Sequence, residues 1–195
     1  MNPFYTMPHI LIETSEGNTA HSLQDELLKE REIELVGEIT SESAYAIILQ
    51  LRCLQKADPK LPITLYINSP GGEVASGLAL YDVMQAVKCP VRTVCLGTAA
   101  SMAAILFASG KERGLLPHGK VMIHDPLTTG IGGSALTIDS LSRNLMQTRQ
   151  ITAGILARHT GRTLDEIYAC TAKDTYFNAQ EAIAFGLADY IVEEM

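Results

Sequence analysis

Short apolar runs alternate with helix-patterned stretches three times before residue 110, and small or turn-forming residues punctuate each change. Residues 34–39 form the first run and 41–57 the first helical stretch, which Asp58-Pro59 stops because proline disfavours a helical residue before it. Residues 63–68 read as a mainly apolar strand closed by Ser69-Pro-Gly-Gly72, after which 74–87 carry helical spacing. A third strand covers 91–96, a small-residue turn 97–100, and a helix 101–108 that ends at Ser109-Gly110. Residues 120–124 add another strand. Strands of this length between such helices predict an α/β fold whose strands are mostly parallel and buried. Chemically active groups are expected at the strand ends.

The second half is less regular. Residues 128–134 form a glycine-rich loop, followed by a helical pattern up to His159 with Gly161 as its stop, and a helix of that length is expected to protrude. Thr163-x-x-Glu166 and Asn178-x-x-Glu181 resemble capping boxes, so short helices are expected over 164–172 and 179–185, the second stopped by Gly186, with a closing strand over 190–192. The 195 residues suit one domain, 31–195, behind a polar N-terminal segment of 30 residues.

Composition narrows the function classes. Apolar residues make up 47% and charged residues 19%, as in a packed globular chain rather than a disordered one. A net charge of -7 with no Lys/Arg run offers no surface for phosphates, so no nucleic-acid partner is expected. The apolar stretch 94–109 is broken by Gly97, Thr98, Ser101 and Ser109 and is shorter than the ~20 residues a membrane span needs. Residues 1–13 lack the features of a secretory signal. Cys53, Cys89, Cys95 and Cys170 are scattered through apolar segments as small hydrophobes, which points to a reducing compartment, the cytoplasm. The five histidines show no ligand spacing, so no metal is assigned.

Four places could carry chemistry, and each has a plainer reading. Ser101 follows the small-residue turn Gly97-Thr-Ala-Ala, where a substrate backbone could approach, or it simply caps the next helix. Ser69-Pro-Gly-Gly72 could aim a backbone N–H into the same crevice, or be a turn. His124 closes a strand where a general base would sit, or is an ordinary polar residue paired with Asp125. Asp174 precedes the apolar Thr175-Tyr-Phe177, where a carboxylate needs a partner, His124 by preference, or is a turn residue.

Taken together, Tyr66-Ile-Asn-Ser-Pro-Gly-Gly72, Ala99-Ala-Ser-Met-Ala-Ala104, Val121-Met-Ile-His124-x-Pro126 and His159-Thr-Gly161 resemble, in order, the motifs of the Clp protease proteolytic-subunit family, over about residues 10–192. The resemblance implies a crotonase-like superhelix of repeated ββα units with a protruding handle helix, the handle spanning about 128–160 and the first 30 residues forming an axial-loop segment. It implies Ser101 as nucleophile, His124 as base, Asp174 orienting the imidazole, and an oxyanion hole from the Gly72 and Met102 N–H groups. Such triads are recognised by geometry, so the chain order Ser, His, Asp is no obstacle.

The resemblance also implies heptameric rings stacked as a tetradecamer enclosing the active sites, where unfolded proteins are cut to short peptides. The glycine-rich segment would lie beside an extended substrate, and main-chain pairing of that kind gives broad sequence preference. The implied partner is a ring-shaped AAA+ Clp ATPase such as ClpX, ClpA or ClpC. ATP binds there; this chain has no phosphate loop and needs no cofactor of its own.

Departures from the family pattern are specific. Ala172-Lys173 stand where an Asp-Arg pair couples the rings, Thr64 where a tyrosine lines the ATPase pocket, and Gln24-Asp25-Glu26 where Tyr-Ser-Arg is usual. Asp125 replaces glutamine after the histidine, 111–116 is shorter by two residues, and 128–134 is longer by one. These changes fit a divergent copy working beside a second subunit of the same type. Two rivals remain: an acyl-coenzyme A enzyme of the crotonase fold, which leaves the serine and histidine unexplained, and a catalytically silent ring subunit.

Overall fold

A computed structural model describes residues 9–14, 17–128, 130 and 132–194. The first eight residues of the expected axial-loop segment, and Thr129 and Ile131 of the glycine-rich loop, lie outside the described residues. The chain begins with an antiparallel hairpin of β1 (His9–Thr14) and β2 (Gly17–Ser22), followed by α1 (Leu23–Lys29). Neither hairpin nor helix is visible in the polar pattern of these residues, although Ser22 caps α1 by accepting from the Asp25 N–H.

The body runs β3 (Glu32–Val36), α2 (Ser41–Ala57), β4 (Ile63–Ser69), α3 (Val74–Ala86), β5 (Val91–Ala100) and α4 (Met102–Ala108). It continues with β6 (Arg113–Leu115), β7 (Lys120–Ile123), α5 (Ala135–Thr160), α6 (Leu164–Thr171), β8 (Thr175–Phe177), α7 (Ala179–Phe185) and β9 (Tyr190–Ile191). The fold is mixed α/β, with a sheet of order β3-β4-β5-β6-β9 that is parallel throughout. β5 forks: Thr93 to Cys95 pair with β6, and Thr98 to Ala100 pair with β7, which then takes β8 as an antiparallel neighbour.

This fork corrects the sequence reading at two points. The small residues 97–100 are strand rather than turn, because Ala99 and Ala100 pair with Val121 and Met122 and are buried there. The first strand ends at Val36 instead of residue 39; beyond it the Gly37 N–H still donates to Asn68 O of β4, and Ile39 makes an isolated parallel bridge to Gly72.

Alternate residues of β3 and β4 point inward, and Ile33, Leu35, Ile63, Leu65 and Ile67 are fully buried in one cluster with all of α4. Full burial of each large side chain is worth about 1.5–3 kcal/mol. Thr163 and Asn178 form the two expected capping boxes, and Gly161 and Gly186 end α5 and α7 in the left-handed conformation. Arg113 ties these ends together, donating to the His159 and Gly186 carbonyls and pairing with Asp189, whose carboxyl it holds below the usual range. The buried residues of α5 all lie between Thr152 and Leu156, so its first four turns stand clear of the core. No helix among the described residues is long and apolar enough to cross a membrane.

Candidate active site

Ser101 is the single residue between β5 and α4. Its backbone has φ 55° and ψ -123°, a positive-φ conformation outside the left-handed helical region that a residue with a Cβ rarely adopts. Two contacts hold it there. The Ser101 N–H continues the β5–β7 ladder by donating to Met122 O at 2.8 Å, and the backbone of Gly71 lies directly against the turn. A Cβ on Gly71 would sit 2.7 Å from Ala100 O and 2.8 Å from Ser101 Cβ, so no other residue fits without displacing the serine. The serine side chain makes no capping bond to α4, which removes the plainer reading of this residue. Its Oγ lies instead 2.7 Å from His124 Nε2.

His124 follows the last residue of β7, and the antiparallel pairing of Ile123 with Thr175 makes 124 and 174 the next positions of that register. His124 Nδ1 is 3.2 Å from Asp174 Oδ1. A carboxylate can only accept, so Nδ1 carries the proton and Nε2 presents its lone pair to the serine hydroxyl. The Asp174 side chain is 58% exposed, against 14% for His124. Tyr176 points outward, and only Phe177 of the apolar patch is buried.

The Gly72 amide is left open by its own bridge. Ile39 N–H donates to Gly71 O and Glu73 N–H to Ile39 O, each at 2.8 Å, and the intervening Gly72 N–H has no recorded acceptor among the described residues. A Cβ on Gly72 would fall 2.2 Å from Ile39 O, which accounts for the second glycine of the pair. The Met102 N–H, in the first turn of α4, has no recorded acceptor either. Gly71, against which the serine turn packs, would carry its Cβ 3.0 Å from this same nitrogen. Two unused donors therefore flank the serine.

Asp125 does not pair with His124. Its Oδ2 accepts from Arg149 Nε of α5 at 2.6 Å, and the Arg149 guanidinium stacks over the Tyr168 ring of α6 at 4.0 Å. Sequence reasoning missed both partners, since nothing local links positions 24 and 43 residues downstream. The described part of the glycine-rich loop forms no strand on its own.

Elsewhere, burial pushes the Cys95 thiol up to about 12, so it stays protonated and unreactive. Cys89 is also buried, but Cys53 is exposed, against the expectation for its apolar segment. Among the described residues no three His, Cys, Asp or Glu side chains come together as a metal site. Among known protein families, the model described as Clp protease matches residues 15–195.

Proposed function

From the premise that the chain belongs to the Clp protease family, and so is a peptidase by descent, we propose that it is a serine endopeptidase whose nucleophile is Ser101. The observation that carries this reading is His124 standing 2.7 Å from Ser101 Oγ and 3.2 Å from Asp174 Oδ1 at once. Histidine has a near-neutral ordinary pKa, which suits a base that must take a proton and return it.

In the first step His124 Nε2 removes the Ser101 hydroxyl proton as Oγ attacks the scissile carbonyl. The electron pair of the C=O bond moves to its oxygen, where the Gly72 and Met102 N–H groups are available to receive the charge. Asp174 holds the imidazolium through Nδ1–H. Collapse of the tetrahedral intermediate breaks the C–N bond, and Nε2–H protonates the departing amine. An acyl-enzyme on Ser101 remains. Water then repeats the sequence, giving its proton to His124 while the serine oxygen leaves and takes that proton back.

The exposed Asp174 and the long projecting α5 support a ring-assembled peptidase, in which neighbouring copies would cover what a single chain leaves bare. Heptameric rings stacked in pairs, an AAA+ Clp ATPase delivering unfolded proteins, and a cytoplasmic setting belong to this proposal. ATP would act in the partner. Lys173 beside Asp174, Thr64 on β4 and Gln24-Asp25-Glu26 on α1 favour a variant in which this chain shares its rings with a second subunit type.

The test is hydrolysis of a fluorogenic peptide by the purified chain and by Ser101→Ala. The variant is expected to lose activity down to the residual ~10³- to 10⁴-fold enhancement over water that binding and donors alone give. Unchanged hydrolysis by Ser101→Ala would refute the assignment.

A further inference from the structure

Asp174 is more than half exposed, and its bond to His124 is the one hydrogen bond recorded for its carboxylate among the described residues. A side chain so held has little burial to fix it, so its alignment depends on the backbone at either side. Both flanks of the pair meet in one cluster. Asp125, next to His124, donates its N–H to the carbonyl of Thr171 at 2.8 Å, and Thr171 lies three residues before Asp174. The Asp125 carboxylate accepts from Arg149 Nε at 2.6 Å, and the Arg149 guanidinium carbon sits 4.0 Å over the ring of Tyr168, one turn before Thr171 in α6. Both ion-pair partners are largely shielded, at 25% and 30% exposure, so water screens them less than a surface pair. Arginine suits the place: its planar guanidinium can stack and donate together, which lysine cannot do.

We propose that Arg149 is a positioning residue for the triad, bridging Asp125 at the end of β7 to Tyr168 on α6 and so fixing the His124–Asp174 alignment. The proposal rests on the triad reading above. Among the described residues the Arg149 side chain bonds to Asp125 and packs on Tyr168, with no hydrogen bond to Ser101, His124 or Asp174. Its effect is on geometry, and misplacement of a catalytic group by about 1 Å can cost on the order of 100-fold in rate.

The experiment uses the full assembled chain and four variants: Arg149→Ala, Arg149→Lys, Asp125→Asn, and Arg149→Ala with Asp125→Asn. The readouts are kcat and KM for a fluorogenic peptide, the rate of fluorophosphonate labelling at Ser101, and particle mass. Arg149→Ala and Asp125→Asn are each expected to lower kcat and labelling rate about tenfold with KM and mass unchanged. The double variant should lose no more than the worse single one, because both remove the same bridge. Arg149→Lys should recover part of the loss through its retained charge. Unchanged kcat in Arg149→Ala, a loss confined to KM or explained by lost particle mass, or losses that multiply in the double variant would each overturn the proposal. Wild-type protein that fails to label at Ser101 would overturn the triad reading, and this role with it.

Discussion

Ser101 holds a backbone conformation that costs about 1–3 kcal/mol, and that cost is tolerated because the surrounding structure leaves it no other. The β5–β7 ladder fixes its N–H, and Gly71 leaves no room between itself and the serine turn for even a Cβ. Gly71→Ala should therefore displace the serine turn by several tenths of an ångström or more. The expected result is a folded protein with peptide hydrolysis reduced on the order of 100-fold. Wild-type rates in a folded Gly71→Ala protein would show that the contact does not set the nucleophile. At this scale the sequence was informative: Ser101, His124 and Asp174 come together, and the two glycines have separate steric reasons for being there. Asp174 stays exposed beside its short apolar neighbours because Tyr176 faces outward and only Phe177 is buried. Arg149 and Tyr168 were invisible, since a tertiary ion pair leaves no local pattern.

Among the elements, those with chemical punctuation were legible and those without were not. Thr163 and Asn178 with their partner glutamates, and Gly161 and Gly186, mark helix ends through bonds that sequence spacing reveals. β5 was cut short in the sequence reading because glycine, threonine and alanine resemble a turn until a neighbouring strand is present to pair with them. The root of α5 has a pH dependence that follows from its surroundings. His159 bonds to the Tyr81 hydroxyl at 3.1 Å, and burial first, then Arg113, Arg158 and Lys111, hold its pKa below 6.5. Below the unfolded pKa the unfolded chain then binds more protons than the folded one, so this contribution is full above that pKa and is lost as pH falls. The urea midpoint should drop between about pH 7.5 and about pH 5.5, and drop less in His159→Gln. Equal drops in both proteins would contradict this account of the α5 root.

Viewed whole, the isolated chain is unfinished on one side. Leu136, Ile138, Leu141, Met146 and Ile151 are exposed along α5, a helix whose first four turns touch little of their own chain. The sheet brings the serine turn at the end of β5 next to a histidine that follows β7 and an aspartate that precedes β8, so the groups of the proposed triad all come from one chain. Assembly would add enclosure rather than chemistry. The parallel sheet and its alternation were readable because buried strands and amphipathic helices have different periods. How copies meet was not readable, because an exposed apolar face looks the same in sequence as a core-facing one.

The central claim is that Ser101 is an activated nucleophile. The most direct measurement is treatment of the purified wild type and Ser101→Ala with a fluorophosphonate probe, with the modified residue located by mass spectrometry and the particle mass recorded in parallel. The account predicts modification of wild type at Ser101, in a ring-sized particle, and none of the variant. Wild-type particles of that size left unmodified, or a label that persists in Ser101→Ala, would contradict it.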